Sequence, residues 1–148
     1  MMNKKRNNYL IGLADNALHN VPATENGGGM LVKDRDIQKT YIKKAYDGQT
    51  SGLGVAVAMS GLLPALAIYY ADKPDKRKVN RRAILEVIAN MINNDNDFSL
   101  SSRINNAKAL LKEAINSDEN QRKDLKREVE DCSIALKQVV RTYNLVEK

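Results

Sequence analysis

Residues Gln49–Asp72 read QTSGLGVAVAMSGLLPALAIYYAD, and from Gly48 to Ala71 there is no charged side chain in a protein that is 28% charged. What covers this stretch decides the fold. A bilayer, a protein core and a partner subunit compete for it. About 20 consecutive apolar residues span a hydrocarbon core, and Lys43, Lys44 and Lys73 flank the run. Against a span stand Gln49, Thr50, Ser51, Ser60, the interior glycines Gly52, Gly54 and Gly61, and Pro64, with few large side chains to favour lipid. A core explains them better. Gly52, Gly54, Ala56, Ala58 and Ser60 admit a neighbouring backbone, while Val55, Val57 and Met59 offer packing surface. Gly61 suits a helix C-terminus, where a residue without Cβ tolerates the left-handed region. Pro64 then falls in the first turn of the next helix, where its missing N–H costs little. That helix, Leu63 to Ala71, is apolar nearly all round, which predicts a central position. The expectation is two buried helices meeting at Ser60-Gly61-Leu62.

Bulk properties extend this outward. A chain of 148 residues is long enough for one domain with a real core. Hydrophobic content of 43% with only 5% aromatic argues for helices packed with Leu, Ile, Val and Ala, and against a β-sandwich or barrel. The expected class is all-α: a single-domain bundle of about five to six helices over residues 1–148, with the buried corner at its centre. Cys132 is the one cysteine, so an internal disulfide and a multi-cysteine zinc site are excluded. No apolar run precedes Asp15, so no signal peptide is expected and a cytoplasmic location follows.

The net charge is +6 and the pI about 9.4. Residues 93–148 carry ten basic and ten acidic side chains, and residues 34–72 four of each. The excess sits in residues 1–33 and above all in 73–92, with six basic and two acidic groups. A local basic patch points to an acidic partner such as a nucleic-acid backbone.

Along the chain, residues 4–20 form an amphipathic helix with Leu10, Leu13, Ala14, Ala17 and Leu18 on one face. Pro22 and the glycines at 27–29 make 21–33 a flexible Gly-rich loop. It is not a phosphate cradle, since no strand precedes it and no Lys-Ser/Thr pair follows. Asp34 or Asp36 caps a helix from about Ile37 toward Gly48, continuing through Ser60, with Ile37, Tyr41, Ala45 and Tyr46 inward and Lys39, Lys43 and Lys44 outward. After the corner, KPDKRKVNRR (73–82) leads into a helix whose Ala83, Ile84, Val87, Ile88 and Met91 keep a 3.6-residue period. Lys76, Arg77, Lys78, Arg81 and Arg82 crowd its N-terminal end, where the macrodipole disfavours cations. A helix from Leu100 to Ile115 follows, capped by Ser99 or Ser101, with Ile104, Ala107, Leu111 and Ile115 inside. The last helix starts at Asp118-Glu119 and carries the most regular stripe: Leu125, Val129, Cys132, Leu136, Val139 and Tyr143.

No catalytic constellation assembles from these residues. His19 is the only histidine, and His19 with Cys132 is the sole Cys/His combination, lying on different helices. Cys132 on an apolar stripe reads as a small hydrophobe. The pairs Glu128–Glu130 and Asp95–Asp97 fall in charge-rich text, where exposure and ordinary pKa values are expected. The Asx-rich run at 93–97 lacks the glycine and distal glutamate of a calcium loop. A non-enzyme without cofactor or metal is the expectation.

The lysine-bearing helix, the small-residue helix and the corner GLLPALAIYY (61–70) together resemble the small subunit of type III-B CRISPR effector complexes, the fifth subunit of the Cmr module. Gly61, Leu62, Ala65, Leu66 and Tyr69 match that family's apolar corner. Pro64 and the tyrosine pair depart from it, and residues 1–33 have no counterpart in its pattern. The resemblance implies an antiviral ribonucleoprotein. In it, small subunits stack beside the backbone subunits that carry the guide RNA, next to neighbouring copies and the large polymerase/nuclease subunit, with target cleavage done elsewhere. Lys39, Lys43, Lys44, Lys76, Arg77, Lys78, Arg81 and Arg82 would then contact the guide/target sugar-phosphate backbone without reading sequence. The competing reading is a helical protein–protein adaptor with no nucleic-acid role, whose charge serves solubility.

Overall fold

The computed structural model of the chain describes residues 2–147 except 25–26, 35, 37, 72–79 and 99–102. Its helices are α1 (Lys4–Asn20), α2 (Ala45–Ser60), α3 (Leu62–Ala71), α4 (Arg81–Asn93), α5 (Ala107–Asn116) and α6 (Glu119–Val140). Short strands join them: β1 (Ala23–Thr24), β2 (Gly27–Gly28), β3 (Leu31–Asp34), β4 (Lys39–Lys43) and β5 (Leu145–Val146). The expected all-α class is corrected to a mainly helical fold with a small sheet.

Helix α4 is the centre. Ala83, Ile84, Leu85, Val87, Ile88, Ala89, Met91 and Ile92 are all buried, and the helix packs on α1, α3, α5 and α6. The stripe read from the sequence is there, and burial extends beyond it to both sides. Helices α1 and α6 each bury one stripe, Leu10, Ala14, Ala17 and Leu18 on the first and Leu125, Val129, Cys132, Leu136 and Val139 among those on the second. A capping box starts α6: the Gln121 N–H donates to the Asp118 carboxylate, and the Asp118 N–H donates to the Gln121 side chain.

The corner forms where expected, with Gly61 at φ +93° between α2 and α3. It is only half-buried, however. Helix α2 turns Tyr46, Thr50, Leu53 and Val57 inward but leaves Val55 57% and Met59 82% exposed. Helix α3 buries Leu62, Ala65, Leu66 and Tyr69 and leaves Ile68 54% exposed. An apolar residue on every side did not place α3 at the centre; only the side facing α2, α4 and α5 is covered. Of the small residues expected to admit a backbone, Gly52 and Gly54 admit side chains instead: a Cβ at Gly52 would lie 3.0 Å from the Tyr69 hydroxyl, and one at Gly54 3.1 Å from Ser133 Oγ, while Ala58 and Ser60 are exposed. Through the gap at Gly52 the Tyr69 hydroxyl donates to the Gln49 carbonyl at 2.8 Å. Among the described residues no helix is long and apolar enough to cross a membrane.

Three expectations need correction. The segment 38–43 is no helix: Lys39–Lys43 is strand β4, antiparallel to β3 (Leu31↔Ile42, Asp34↔Lys39) and parallel to β5 (Ile42↔Leu145). Thr, Tyr and Ile favour a pleated surface, and Asp34 ends the neighbouring strand by accepting from the Asp36 N–H at 3.0 Å, a turn and not a helix cap. Segment 21–33, expected as a loop, holds the β1–β2 hairpin (Ala23↔Gly28) and the start of β3. Its glycines serve close approach: a Cβ at Gly29 would stand 1.7 Å from the Val21 carbonyl oxygen. Helix α5 starts at Ala107, capped by Asn106, whose side chain accepts from the Ala109 N–H at 2.9 Å. The Ser99 and Ser101 caps lie outside the described residues, and Ile115 is 55% exposed.

The central position of α4 makes its core side chains the costly ones to remove. Ile88→Ala is expected to lower stability by about 2–5 kcal/mol, and Met59→Ala by no more than about 0.5 kcal/mol. Urea unfolding of the two variants measures both.

Candidate nucleic-acid interface

The sheet presents part of the predicted basic face. Alternation along β4 puts Lys39, Tyr41 and Lys43 on one side and Ile42, fully buried, on the other. Across the ladder Asp34 stands beside Lys39, Val32 beside Tyr41 and Val146 beside Lys43. Lys39 is exposed and Lys43 half-buried. Lys44 follows the strand and pairs with Glu147 at 3.1 Å; both ends are mostly exposed, so the pair holds Lys44 only weakly. Tyr41 was not among the sequence-derived candidates. The signal for it was the two-residue period of KTYIK, hidden because a helical reading ran through it.

Arg81 and Arg82 are differently placed. The Arg81 guanidinium lies 5.0 Å from the Tyr69 ring centre and that of Arg82 4.3 Å from the Tyr70 ring centre. Arg82 Nε also donates to the Tyr70 carbonyl at 2.7 Å. These arginines tie the start of α4 to the end of α3, where a cation complements the carbonyl end of a helix. The charges that looked misplaced at one helix N-terminus thus serve a neighbouring C-terminus. Tyr46 joins the two basic groups: its hydroxyl donates to the Asn80 carbonyl at 3.3 Å and accepts from the Asn80 N–H at 3.2 Å. The Lys43–Lys44 end of the sheet therefore adjoins the start of α4. Lys76, Arg77 and Lys78 lie outside the described residues.

Acidic groups gather around the first half of α6, far along that helix from the sheet. A hollow of about 380 Å³ is lined by Asp97, Glu113, Asp124, Glu128 and Asp131, with Arg6 and Arg127. Arg6 reaches in from α1. Its Nη1 donates to Asp95 at 3.0 Å, its Nη2 donates to Glu128, and its Nε lies 3.7 Å from Asp131. Asp95 also accepts from the Asp97 N–H at 2.9 Å.

The expectation of exposed, ordinary carboxylates at 95 and 128 is overturned, because each residue is only 3% exposed. Burial, together with hydrogen bonding and repulsion from Asp95, pushes the Glu128 carboxyl up to about 8. Burial also works against the Asp95 carboxylate, but hydrogen bonds with Glu128, the Asp97 N–H and Arg6 hold it below its ordinary value. For Arg6 burial is outweighed by its bond to Asp95 and the charges of Glu128 and Asp95, so its pKa is raised. The cluster thus favours the neutral carboxyl at Glu128 and the charged forms of Asp95 and Arg6.

The remaining polar candidates do not converge. Cys132 is buried with Sγ 3.9 Å from Glu128 Oε2, and burial raises its thiol well above the usual range. His19 instead meets Tyr143, whose hydroxyl is 3.0 Å from His19 Nε2 and donates to Asp15 at 2.5 Å. Burial and that carboxylate push the Tyr143 hydroxyl up to about 12. Among the described residues no group of three or more His, Cys, Asp or Glu has the geometry to hold a metal ion.

Comparison with known proteins joins this geometry to a family. The sequence model of the CRISPR-associated protein family Cas_Cmr5 matches residues 30–143. The X-ray crystal structure of a CRISPR-associated Cmr5 family protein from Thermus thermophilus superposes with a TM-score of 0.60 at 19% identity. That alignment covers 94% of this chain and 97% of the other; at such identity it speaks for the fold alone. No curated protein sequence matches the chain.

The Arg6 cluster gives stability a defined pH dependence. The folded-state carboxyl of Glu128 is raised from its ordinary 4.5 to about 8. Its contribution is therefore complete below the lower value and lost as pH rises through the upper one. Asp95 contributes with the opposite sign, losing its share in acid. In Glu128→Gln, which keeps a neutral amide, the decline in unfolding midpoint between those two pH values should flatten. A variant that keeps the wild-type slope in urea titrations across that range would place the proton elsewhere.

Proposed function

The chain belongs to the Cmr5 family of CRISPR-associated proteins, and from that premise we propose that it is the non-catalytic small subunit of a type III-B RNA-guided effector complex. It acts as one domain, in the cytoplasm. Its partners are the backbone subunits, the large polymerase/nuclease subunit, neighbouring copies of itself and the guide/target RNA. The observation that carries the RNA-facing part is the outer side of β4, where Lys39 and Lys43 flank Tyr41 and Lys44 follows. A strand holds the backbone positions of its cations at a fixed spacing on one face. The acidic hollow at the far part of α6 repels phosphate and so biases which side RNA approaches.

Phosphate contact by these lysines works through counterion release, without base readout. Arg81 and Arg82 enter the proposal mainly as the tie that holds the α3–α4 junction, with their remaining charge adding to the local potential. Lys76, Arg77 and Lys78 keep their assignment from the sequence as phosphate contacts. Catalysis of target cleavage has no residues in this reading, since His19, Cys132 and the buried carboxylates are each taken up by structural partners.

The experiment is reconstitution of the complex with the subunit carrying Lys39→Glu, Lys43→Glu and Lys44→Glu together. Guide/target retention should weaken, and the slope of log affinity against log salt should fall by about 0.7–0.9 for each phosphate no longer neutralised. Thermal unfolding of the isolated variant should be close to wild type, because all three side chains lie outside the core. Retention and salt slope identical to wild type would overturn the assignment of these lysines.

A further inference from the structure

The outward side of α2 and α6 holds a groove that the proposed function leaves unused. Asp47 meets Arg141 at 2.8 Å and Gly54 meets Ser133, so the two helices run antiparallel. Between them lies a groove of about 320 Å³. Its α2 wall carries Ser51, Gly54, Val55 and Ala58, and its α6 wall Ile134. Val55 is 57% and Ile134 46% exposed, and Met59 at 82% continues the apolar strip past the end of the groove. Ser51, Gly54 and Ala58 recur at helical spacing and leave room for another helix to come close.

The groove contains one polar group that the fold does not satisfy. The Ser51 hydroxyl donates to the Asp47 carbonyl and the Ser133 hydroxyl to the Glu130 carbonyl, so both are internally paired. Thr50 is fully buried, lines the groove, and its Oγ1 has no hydrogen-bond partner. A buried hydroxyl is ordinarily bonded, and this one lies unpaired in the floor of the groove.

What covers it is indicated by the order of residues on α6. Glu130, Ile134 and Lys137 line the groove at successive spacings of four and three, so they form a single stripe with opposite charges at its ends. A two-fold axis passing between Ser133 and Ile134, perpendicular to the helix, lays Glu130 of one copy over Lys137 of the other and the reverse at the same time. A foreign helix would have to supply both charges in register; a second copy does so by symmetry. We propose that this groove is a two-fold interface between two copies of this chain, α6 against α6 antiparallel, with Ile134 and Val55 of each copy seated over the small residues of the other. The contact closes on itself, whereas stacking along a filament repeats head to tail. It therefore concerns the free chain and does not depend on the RNA-facing role.

Sedimentation equilibrium of the full chain tests this, and the charge pattern makes the test specific. The wild type should show a reversible monomer–dimer equilibrium. Glu130→Lys alone and Lys137→Glu alone should each weaken it by about tenfold, because each places like charges together at both ends of the contact. The doubly exchanged variant, Glu130→Lys with Lys137→Glu, should recover dimerisation, because the ends are again complementary. Ile134→Arg should abolish it, and circular-dichroism melts should show all four variants folded. A chain that stays monomeric up to millimolar concentration overturns the proposal. So does a dimer that ignores the single reversals, or one that the double exchange fails to restore. Retention of RNA by the Lys39, Lys43 and Lys44 variant is a separate readout, so the two readings fail independently.

Discussion

Helix α4 is enclosed by its neighbours, and most of the architecture follows from that. A helix buried on both sides has few places for polar groups, and each of those in α4 binds a neighbouring element. Glu86 accepts the N–H of Ala107 and so fixes the start of α5. The Asn93 side chain accepts the Ile104 N–H at 3.1 Å and holds the segment before that helix. Asn90 accepts from the Asn20 side chain at the end of α1, and Arg82 reaches the last turn of α3. The hydrophobic effect gathers the helices without direction; these side chains fix where each one begins or ends.

The same economy explains why a basic protein need not be basic everywhere. Arg6, Arg81, Arg82 and Arg122 are spent inside the fold: the first on buried carboxylates, the next two on tyrosine rings, the last on carbonyls at the end of α5. Arginine suits such work, since its planar head stacks and donates in several directions at once. Lysines dominate the side of the sheet that faces solvent. The division by residue type separates charge that stabilises from charge that is free to meet a partner.

Helices α1, α4 and α6 were legible in the sequence because each is long, buries a face, and repeats its apolar residues with a helical period. The Gly61 corner was legible because glycine and proline punctuate the backbone. The position of α3 was not, since a helix apolar all round carries no stripe to say which side is covered. Strand β4 is hidden for another reason: one of its two partners, β5, lies at the opposite end of the sequence, and five residues offer too short a period to outweigh the helical run that follows. The burial of Asp95 and Glu128 was equally hidden. Both carboxylates sit in polar text, and only the arrival of Arg6 from α1 shows that they lie inside. Of the assigned cations that lie among the described residues, those on β4 and its following turn face outward while Arg81 and Arg82 stack on tyrosine rings, and nothing local in the sequence distinguished the two sets.

The parallel ladder between Ile42 and Leu145 has a kinetic side. Joining those residues closes a loop of about 100 residues, an entropic cost that must be met before the short strand returns any stabilisation. Helices that form from local contacts and pack on α4 can assemble first, and the sheet is finished only when they have brought its distant strand into place. A chain emerging from the ribosome N-terminus first displays Lys39 and Lys43 long before their strand has its second neighbour. The entropy of that closure favours late completion of the lysine-bearing surface, so a partner that required its finished shape would select chains already folded elsewhere.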